Sequence, residues 1–484
     1  MNRMDSAPTP MTVARRVLLF VSLTSIWGIP ALAQEAPRWL AGDHHIHSWY
    51  SMILDRTTDP PTPIRGSHGF YPIPMNALMA KHHGLSWLVA TDHGGPNHSK
   101  ITAEQVYPEL VLSREVVPEV VQFYGMELNT PAADHSSVII PHTHDEVERL
   151  YQLESGFDKR DAFPPDPTRD TEEKMIEALK LMSEFPDKPV VIANHPSRTG
   201  TADGAYGLDA PSELRAWNDA APDVAVGMAG APGHQANALN PDGSLDERAS
   251  RGQYANADTF GGFDEMTGRL GGFWDSMLGE GRHWWITANS DSHHHWTDGG
   301  NDFWPGEYSK TYVYARKNHD DILAALRAGR VFVTTGDLIS ELDVTAVADG
   351  GRESIMGETL EFPSGDDVLV TIRVRDPDAA NANEDSPAVN RIDLIVGDVT
   401  AKYDDLDLDI NPTTYVLRRF TSRDWKQDGE FLTITHELQN VSQPMYLRVR
   451  GTNTDQLEPE PDPRGEDPWG DLWFYSNPIF LEPQ

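Results

Sequence analysis

Short apolar runs alternate with helical segments between residues 38 and 340. The runs are rich in β-branched and aromatic side chains, which is typical of buried strands. We predict such strands at residues 85–90, 120–124, 190–193 and 285–288. Residues 172–184 and 319–328 carry helical patterns, and Asn318 or Asp320 supplies an N-cap for the second helix. Strands that alternate with helices indicate an α/β fold built on a parallel sheet or barrel.

Beyond about residue 340 the strands become short, and apolar residues alternate with polar ones. They are predicted at residues 368–374, 391–396, 415–420, 431–435, 446–449 and 472–475. Polar turns separate them, which is the pattern of a small antiparallel sandwich. We therefore expect an α/β domain over residues 38–340, followed by an all-β sandwich over residues 341–484.

Two long stretches interrupt the α/β pattern. Residues 155–171 are rich in proline and aspartate, and residues 227–262 are rich in glycine, alanine and asparagine. Loops of this length in a compact domain are often functional. We expect both to form lids or walls of a binding site.

The first 33 residues have the pattern of a secretory signal peptide. Arg15 and Arg16 precede an apolar run over residues 17–33, which ends in Ala31-Leu32-Ala33, a small-x-small cleavage pattern. The run is too short for a membrane span and contains a Gly-Ile-Pro break. We expect cleavage after Ala33, export to the periplasm or the medium, and no stable membrane insertion after cleavage.

Composition narrows the chemistry. The 484 residues include no cysteine, so disulfides, thiolate metal sites and cysteine nucleophiles are excluded. The formal net charge of −36 argues against a polyanionic partner. We therefore expect a small-molecule ester as substrate and no nucleic acid, although a bound metal can reverse the local charge and admit a phosphorylated substrate. Of the 19 histidines, 17 lie between residues 44 and 295, which suggests nitrogen and oxygen metal ligands there.

Metal-binding residue types recur at the ends of the predicted barrel strands. The motifs are Asp43-His44-His45-Ile46-His47, Thr91-Asp92-His93-Gly94, Gly125-Met126-Glu127, Asp134-His135, Asn194-His195-Pro196 and Asn289-Ser290-Asp291-Ser292-His293. Because i and i+2 side chains of a strand point the same way, His45 and His47 can bind one ion while His44 faces away. Histidine and carboxylate ligands without sulfur favour Zn, Mn or Fe. More than one ion is expected, and Glu127 is the best candidate to bridge two of them.

The ordered motifs HxH, DH, Glu with His, His, and DxH resemble those of the PHP (polymerase and histidinol phosphatase) family. The resemblance covers residues 38–340 and is closest to the CehA/McbA branch of metallohydrolases. Residues 330–336 and 475–479 also resemble that branch. The resemblance implies a distorted TIM-like (β/α)7 barrel with two or three divalent metal ions at its rim.

The resemblance also implies a ligand set. His45, His47, Glu127 and Asp291 would bind one ion, and Glu127, His135 and His195 a second. His93 and His293 would contribute to a third ion, or would instead hold substrate or shuttle protons. Many PHP proteins supply a further histidine or aspartate shortly after HxH, whereas here the nearest carboxylate is Asp55, so two ions are the expected minimum.

These residues predict an exported metal-dependent hydrolase in which a metal-bridging hydroxide cleaves a phosphoester. Arg198, three residues after His195, can bind the anionic group of the substrate with its guanidinium fork; the alternative is a surface arginine paired with an acid. A carboxylic or carbamate ester hydrolase of the CehA/McbA type and a non-catalytic secreted metal-containing binding protein are the other candidates. An arginine directed at the metal ligands favours phosphate, and an apolar aromatic lining favours a neutral ester.

Six further histidines and four tryptophans of this region match no motif position. We interpret the histidines as exposed or as neighbours of the ligands, and the tryptophans as core residues rather than pocket walls. They are His83, His142, His144, His234, His294, His295, Trp274, Trp284, Trp285 and Trp296. The glycine-rich and serine motifs of NTPases, dinucleotide-binding proteins and serine hydrolases do not occur.

Overall fold

Strands of the predicted α/β region form the centre of one large mixed sheet. The structure is a computed structural model that describes residues 35–484, and the predicted signal peptide at residues 1–33 lies outside the described residues. The strands are β1 (Arg38–Ile46), β2 (Ile53–Asp55), β3 (Thr62–Ile64), β4 (Trp87–Ala90), β5 (Val121–Asn129), β6 (His135–Ile140), β7 (Val190–Asn194), β8 (Ala225–Ala231), β9 (Trp285–Ala288), β10 (Ser309–Ala315), β11 (Val331–Thr335), β12 (Glu341–Ala348), β13 (Glu353–Ile355), β14 (Thr359–Phe362), β15 (Val368–Arg375), β16 (Arg391–Asp398), β17 (Tyr415–Phe420), β18 (Lys426–Asp428), β19 (Phe431–Leu438), β20 (Met445–Thr452), β21 (Trp473–Ser476) and β22 (Ile479–Pro483).

Helices connect and cover these strands. They are α1 (Ile73–His82), α2 (His98–Ile101), α3 (Tyr107–Val116), α4 (Glu146–Phe157), α5 (Glu172–Glu184), α6 (Pro211–Ala220), α7 (Glu265–Gly268), α8 (Phe273–Gly279) and α9 (His319–Arg327). The predicted cap of α9 is confirmed at Asn318, whose side chain accepts a hydrogen bond from the backbone N–H of Asp321 at 2.9 Å. Among residues 35–484, no helix has the length and apolar character that crossing a membrane requires.

The central strands follow the order β10-β1-β4-β5-β6-β7-β8-β9. Neighbours in β1-β4-β5 and β7-β8-β9 are parallel, whereas β6 is antiparallel to both β5 and β7. The reason is local, since residues 130–134 are too few for the crossover that a parallel pair needs. The sheet is therefore mixed, and the parallel sheet of the sequence analysis is found only in part.

Residues after β9 return to the first strand. Ile46 and Ser292 form an isolated parallel bridge, and the backbone N–H of His47 donates to the carbonyl of Ser292 at 2.9 Å. This contact brings the Asp291 region beside the His45 region. The (β/α)7 barrel itself stays a prediction.

The C-terminal region contributes two sets of strands, which are antiparallel to their neighbours except for β14, which is parallel to β22. Five of them form a separate sheet in the order β13-β12-β15-β19-β18, and the alternating burial along β12 matches the predicted pattern. The others extend the large sheet, because β21 pairs with β11 on one side and with β20 on the other. The chain is thus mixed α/β with further antiparallel sheets, and the division at residue 340 remains a prediction.

Candidate metal centre

Two buried carboxylates stand at the centre of a histidine cluster at the strand ends. Asp291 Oδ1 lies 3.2 Å from His45 Nε2 and 3.0 Å from His47 Nε2. These two ring nitrogens are themselves 2.9 Å apart. The i, i+2 geometry predicted for HxH is therefore confirmed, and the third histidine of the motif, His44, turns away to Ser137 and Thr287.

Glu127 makes the second half of the cluster. Its Oε1 lies 3.0 Å from His45 Nε2, 3.0 Å from His135 Nδ1 and 3.4 Å from His195 Nε2. Its Oε2 lies 3.4 Å from His47 Nε2. Oε1 thus faces histidines of both groups and Oε2 faces His47, and the role of Glu127 as a bridging ligand stays a prediction.

The donor set fits divalent cations. Lone-pair atoms converge within 4.8 Å of one another in the groups His45–His47–Asp291, His45–Glu127–His195 and Asp134–His135–His195. Asp291 Oδ1, His135 Nε2 and His293 Nε2 are buried and have no hydrogen-bond partner within residues 35–484. Buried polar atoms are normally paired. A cation satisfies such convergent acceptors, and the absence of sulfur favours Zn, Mn or Fe.

A chain of hydrogen bonds fixes the ring of His47. Ser51 Oγ donates to Asp92 Oδ1 at 2.7 Å and lies 2.8 Å from His47 Nδ1. Since that hydroxyl proton is used by Asp92, Nδ1 of His47 is the donor to Ser51, and its Nε2 presents a lone pair to the cluster. Such partners behind a ligand orient it and increase its basicity.

Burial and neighbouring charges shift the pKa values of the cluster. Burial raises the pKa of Glu127, but His135 and His45 outweigh it and hold the pKa well below its ordinary value. Asp291 behaves likewise beside His45 and His234. Burial dominates at His93 and His293 and holds the pKa of each well below its ordinary value. These four pKa shifts favour the deprotonated state in which such side chains bind metals, whereas Asp291 and Glu127 outweigh burial at His45 and raise its pKa.

His93 and His293 lie beside the first group. Ligand atoms of His47, His93 and His293 fall within 4.8 Å of one another. The sequence analysis missed His68, whose ring centroid is 4.4 Å from that of His293 and 5.2 Å from that of His93. His68 follows β3, 21 positions after His47. Because the resemblance leads one to expect a further ligand only shortly after HxH, it does not point to a residue at this distance.

Asp134, His234 and Asp302 were also not singled out as site residues. His195 Nδ1 lies 3.1 Å from Asp134 Oδ2. His234 is buried; its Nε2 is 3.0 Å from Asp291 Oδ2, and its Nδ1 contacts Asp302. His234 lies in the stretch 227–262 that the sequence predicts as a loop; residues 227–231 of it belong to β8 instead, and the functional role of the rest stays a prediction.

Backbone strain is concentrated in the same place. His195, His234 and Asp291 have φ values of 33°, 55° and 47°, in the left-handed region that residues other than glycine rarely adopt. Strain of this kind persists where the surrounding structure holds it, and it is common at functional sites. Here the strained backbone directs the side chains of these three residues towards the cluster.

A cavity of about 530 Å³ opens onto the cluster. Arg198 lines it, with Nη1 3.6 Å from Asp291 Oδ2 and Nη2 3.3 Å from Asp134 Oδ2. This arginine is paired with acids, but these are acids of the site rather than of the open surface. Trp274, Trp284 and Trp285 are buried in the core, as predicted, and do not line the cavity.

No family model and no curated protein matches this chain. Among solved structures, the chain is similar to Endonuclease Q in complex with a 27-mer duplex substrate that has an abasic lesion at the active site. The identity is 12% and the TM-score 0.29, over 60% of this chain and 57% of that chain. The chain thus matches less than two thirds of the length of that structure.

This comparison corrects the predicted partner. We expected a small-molecule ester and no nucleic acid, whereas the similar solved structure holds a nucleic-acid duplex. The physical reason for the error is that a net charge of −36 averages over the whole chain. It does not report the arrangement of charge at one cavity, where Arg160 and Arg198 stand beside Glu127, Asp291 and Asp302.

Proposed function

We propose that the protein is an exported metal-dependent hydrolase of the PHP type that cleaves phosphoesters. One observation carries the proposal: Glu127 and Asp291 face converging histidine nitrogens beneath a cavity lined by Arg198. Separate strand ends and loops bring these groups together, so the cluster is not an accident of one segment. Paired carboxylates among histidines at the rim of an α/β sheet are suitable ligands for the metal ions of a hydrolytic site.

The candidate ligands divide into two groups that share Glu127. His45, His47 and Asp291 form one group, and His135 and His195 the other. Divalent ions bound there would lower the pKa of a water molecule and stabilise negative charge on the reacting phosphoryl group. The side chains of His93, His293 and His68 lie together beside these groups. They are suited to binding a third ion or to proton transfer.

The protein's own groups orient these ligands and the substrate. Asp92 acts through Ser51 on His47, and Asp134 contacts His195. Arg198 lies against Asp291, and its guanidinium carries five N–H donors in a fork that fits a phosphoryl group. Positioning and charge complementarity of this kind supply most of the rate in phosphoryl transfer.

The cavity favours a phosphoester over a carbonyl ester. Arg198 and Arg160 line it, whereas the tryptophans that could have formed an apolar pocket lie in the core. A phosphoester carries negative charge before and throughout the reaction. A neutral carbamate or carboxylic ester offers no negative charge to these guanidinium groups.

The test holds the leaving group constant. Purified protein is loaded with manganese or zinc and assayed with p-nitrophenyl phosphate, bis(p-nitrophenyl) phosphate, p-nitrophenyl acetate and a p-nitrophenyl carbamate, and separately with a labelled DNA duplex. His195→Ala is the site variant, and His144→Ala, which alters an exposed histidine, is the control. Phosphoester hydrolysis that falls by orders of magnitude only in His195→Ala supports the proposal. Hydrolysis of the carbonyl esters alone contradicts it.

Export is part of the proposal and has its own test. The chain is expressed with its N-terminal segment in a bacterial host, and the periplasmic fraction is analysed by intact mass. The expected mature protein begins at Gln34, directly after the predicted cleavage position. Full-length protein that stays in the cytoplasmic fraction contradicts export and leaves the hydrolase proposal standing.

A further inference from the structure

A second cavity adjoins the metal centre. It has a volume of about 540 Å³ and shares His68, His93 and Arg160 with the cavity above the metal ligands. Its apolar wall comes from two loops, with Met52, Ile53, Leu54 and Pro61 on one side and Ala162, Phe163 and Pro165 on the other. The two cavities therefore adjoin at the residues they share, and Arg56 and Lys159 line the second one beside its apolar wall.

Arg160 stands at the junction without a partner. Its side chain is exposed and makes no ion pair or hydrogen bond with the part of the chain that is described, residues 35–484. The guanidinium of Arg198, by contrast, already faces two carboxylates. In a chain of net charge −36, an unpaired arginine between two cavities is free to bind an external anion.

The backbone around Arg160 is fixed on both sides. Asp158 Oδ1 accepts from the backbone N–H of Arg160 at 2.8 Å, and its Oδ2 accepts from the amide and backbone groups of Asn129 at 2.8 and 3.0 Å. Asp161 accepts from the backbone N–H and the hydroxyl of Ser99 at 2.9 and 3.0 Å. Both carboxylates are buried. Only the side chain between them is left free.

These anchors tie the loop to the metal centre. Asn129 ends β5, the strand that carries Glu127 two residues earlier. The same strand therefore sets the position of the candidate bridging ligand and of the loop that presents Arg160. The anchored backbone thus fixes the point from which the Arg160 side chain reaches an anionic group of a substrate.

We infer that the second cavity is a substrate subsite that binds an apolar group attached to the scissile phosphate, with a second phosphate bound by Arg160. Arg160 is thus a specificity-determining residue. The inference rests on the proposed phosphoesterase function. The second phosphate can belong to a free bisphosphorylated molecule or to the next linkage of a nucleic-acid strand, and both offer the same chemistry to the guanidinium.

Two matched substrates test the subsite. Thymidine 5′-(p-nitrophenyl phosphate) and its 3′-phosphorylated form share the leaving group and the apolar base and differ only in the second phosphate. We expect the wild-type kcat/KM to be higher for the 3′-phosphorylated compound by about 10-fold to 100-fold, the value of a charge-assisted hydrogen bond. Arg160→Ala removes that preference, so that both compounds turn over with equal kcat/KM, and Arg160→Lys restores part of it. Arg423→Ala, at an exposed arginine between β17 and β18, is the control.

A binding measurement separates this inference from the proposed function. Calorimetry compares thymidine 3′,5′-bisphosphate with thymidine 5′-monophosphate on the wild-type protein and on Arg160→Ala, and it needs no turnover. Loss of bisphosphate preference in the variant supports the subsite even if no nitrophenyl ester is hydrolysed, an outcome that would remove the proposed function alone. Equal affinities in the wild-type protein, or equal losses for both ligands in Arg160→Ala, overturn the subsite. Competition by a short single-stranded oligonucleotide then shows whether a strand or a free bisphosphate binds better.

Discussion

The buried pair of His98 and Glu154 predicts a stability that depends on pH. His98 Nδ1 lies 2.7 Å from Glu154 Oε1, and its Nε2 donates to the carbonyl of Tyr50 at 2.9 Å. Both ring nitrogens face acceptors, so the charged imidazolium fits the site. Burial lowers the pKa of His98, but Glu154 outweighs it and raises the pKa from 6.5 to about 9.

The size and sign of the effect follow from linkage. A histidine whose pKa rises from 6.5 to about 9 on folding stabilises the folded state by about 3 kcal/mol. Because the folded pKa is the higher one, this stability is fully present below pH 6.5 and is lost as the pH rises through about 9. Glu154→Gln removes the charge that raises the pKa of His98. The variant therefore lacks this stabilisation, and its unfolding free energy does not fall for this reason as the pH rises.

The assay is urea unfolding at intervals between pH 7 and pH 10, for the wild-type protein and for Glu154→Gln. Glu148→Gln, at an exposed position of the same helix, is the control. Other groups titrate in this range, so the informative quantity is the difference in unfolding free energy between wild type and variant. We expect it to be about 3 kcal/mol near pH 7 and to shrink towards pH 10. A difference that stays constant across the range would refute the reasoning.

Three further predictions concern the ligand shell and the core. Asp92→Asn weakens the chain that orients a histidine ligand, so metal affinity measured by chelator competition should fall about 10-fold to 100-fold; unchanged affinity contradicts that role. Asp275→Ala leaves the buried Arg448 guanidinium without the carboxylate that lies 2.7 Å away, so chemical denaturation should show a loss of about 3–5 kcal/mol, and a smaller loss than for an exposed ion pair would refute it. Gly42→Ala places a methyl group 1.9 Å from the Trp87 ring, so the thermal midpoint should drop, and an unchanged midpoint would show that β1 moves freely.

The buried strands, and the candidate metal-binding histidines and carboxylates at their ends, could be predicted from the sequence. The predicted strands at 190–193 and 285–288 correspond to β7 and β9, because strands buried on both faces appear as uninterrupted apolar runs. The pairing of His45 with His47 follows from the two-residue repeat of any strand. Local periodicity is sufficient for features of this kind.

Residues that reach the site from loops could not be predicted. His68 and His234 are placed by chain reversals and, at His234, by a backbone with positive φ, and neither leaves a periodic signal. The antiparallel direction of β6 depends on a short connection whose ends are only visible once the strands are known. Arg160 matches no motif either, because the role inferred for it rests on its position between two cavities and on the absence of a side-chain partner among residues 35–484.

The pairing of β21 between β11 and β20 has a consequence for the order in which the molecule can be assembled. Hydrogen-bonding groups of β11, a strand from the α/β region, are satisfied by residues close to the C-terminus. Trp473 follows Thr335 of β11 by 138 residues, so the sheet that carries the candidate site stays incomplete until that long stretch has been synthesised. A premature stop anywhere before residue 473 would leave an open strand edge, with aggregation rather than partial activity as the outcome.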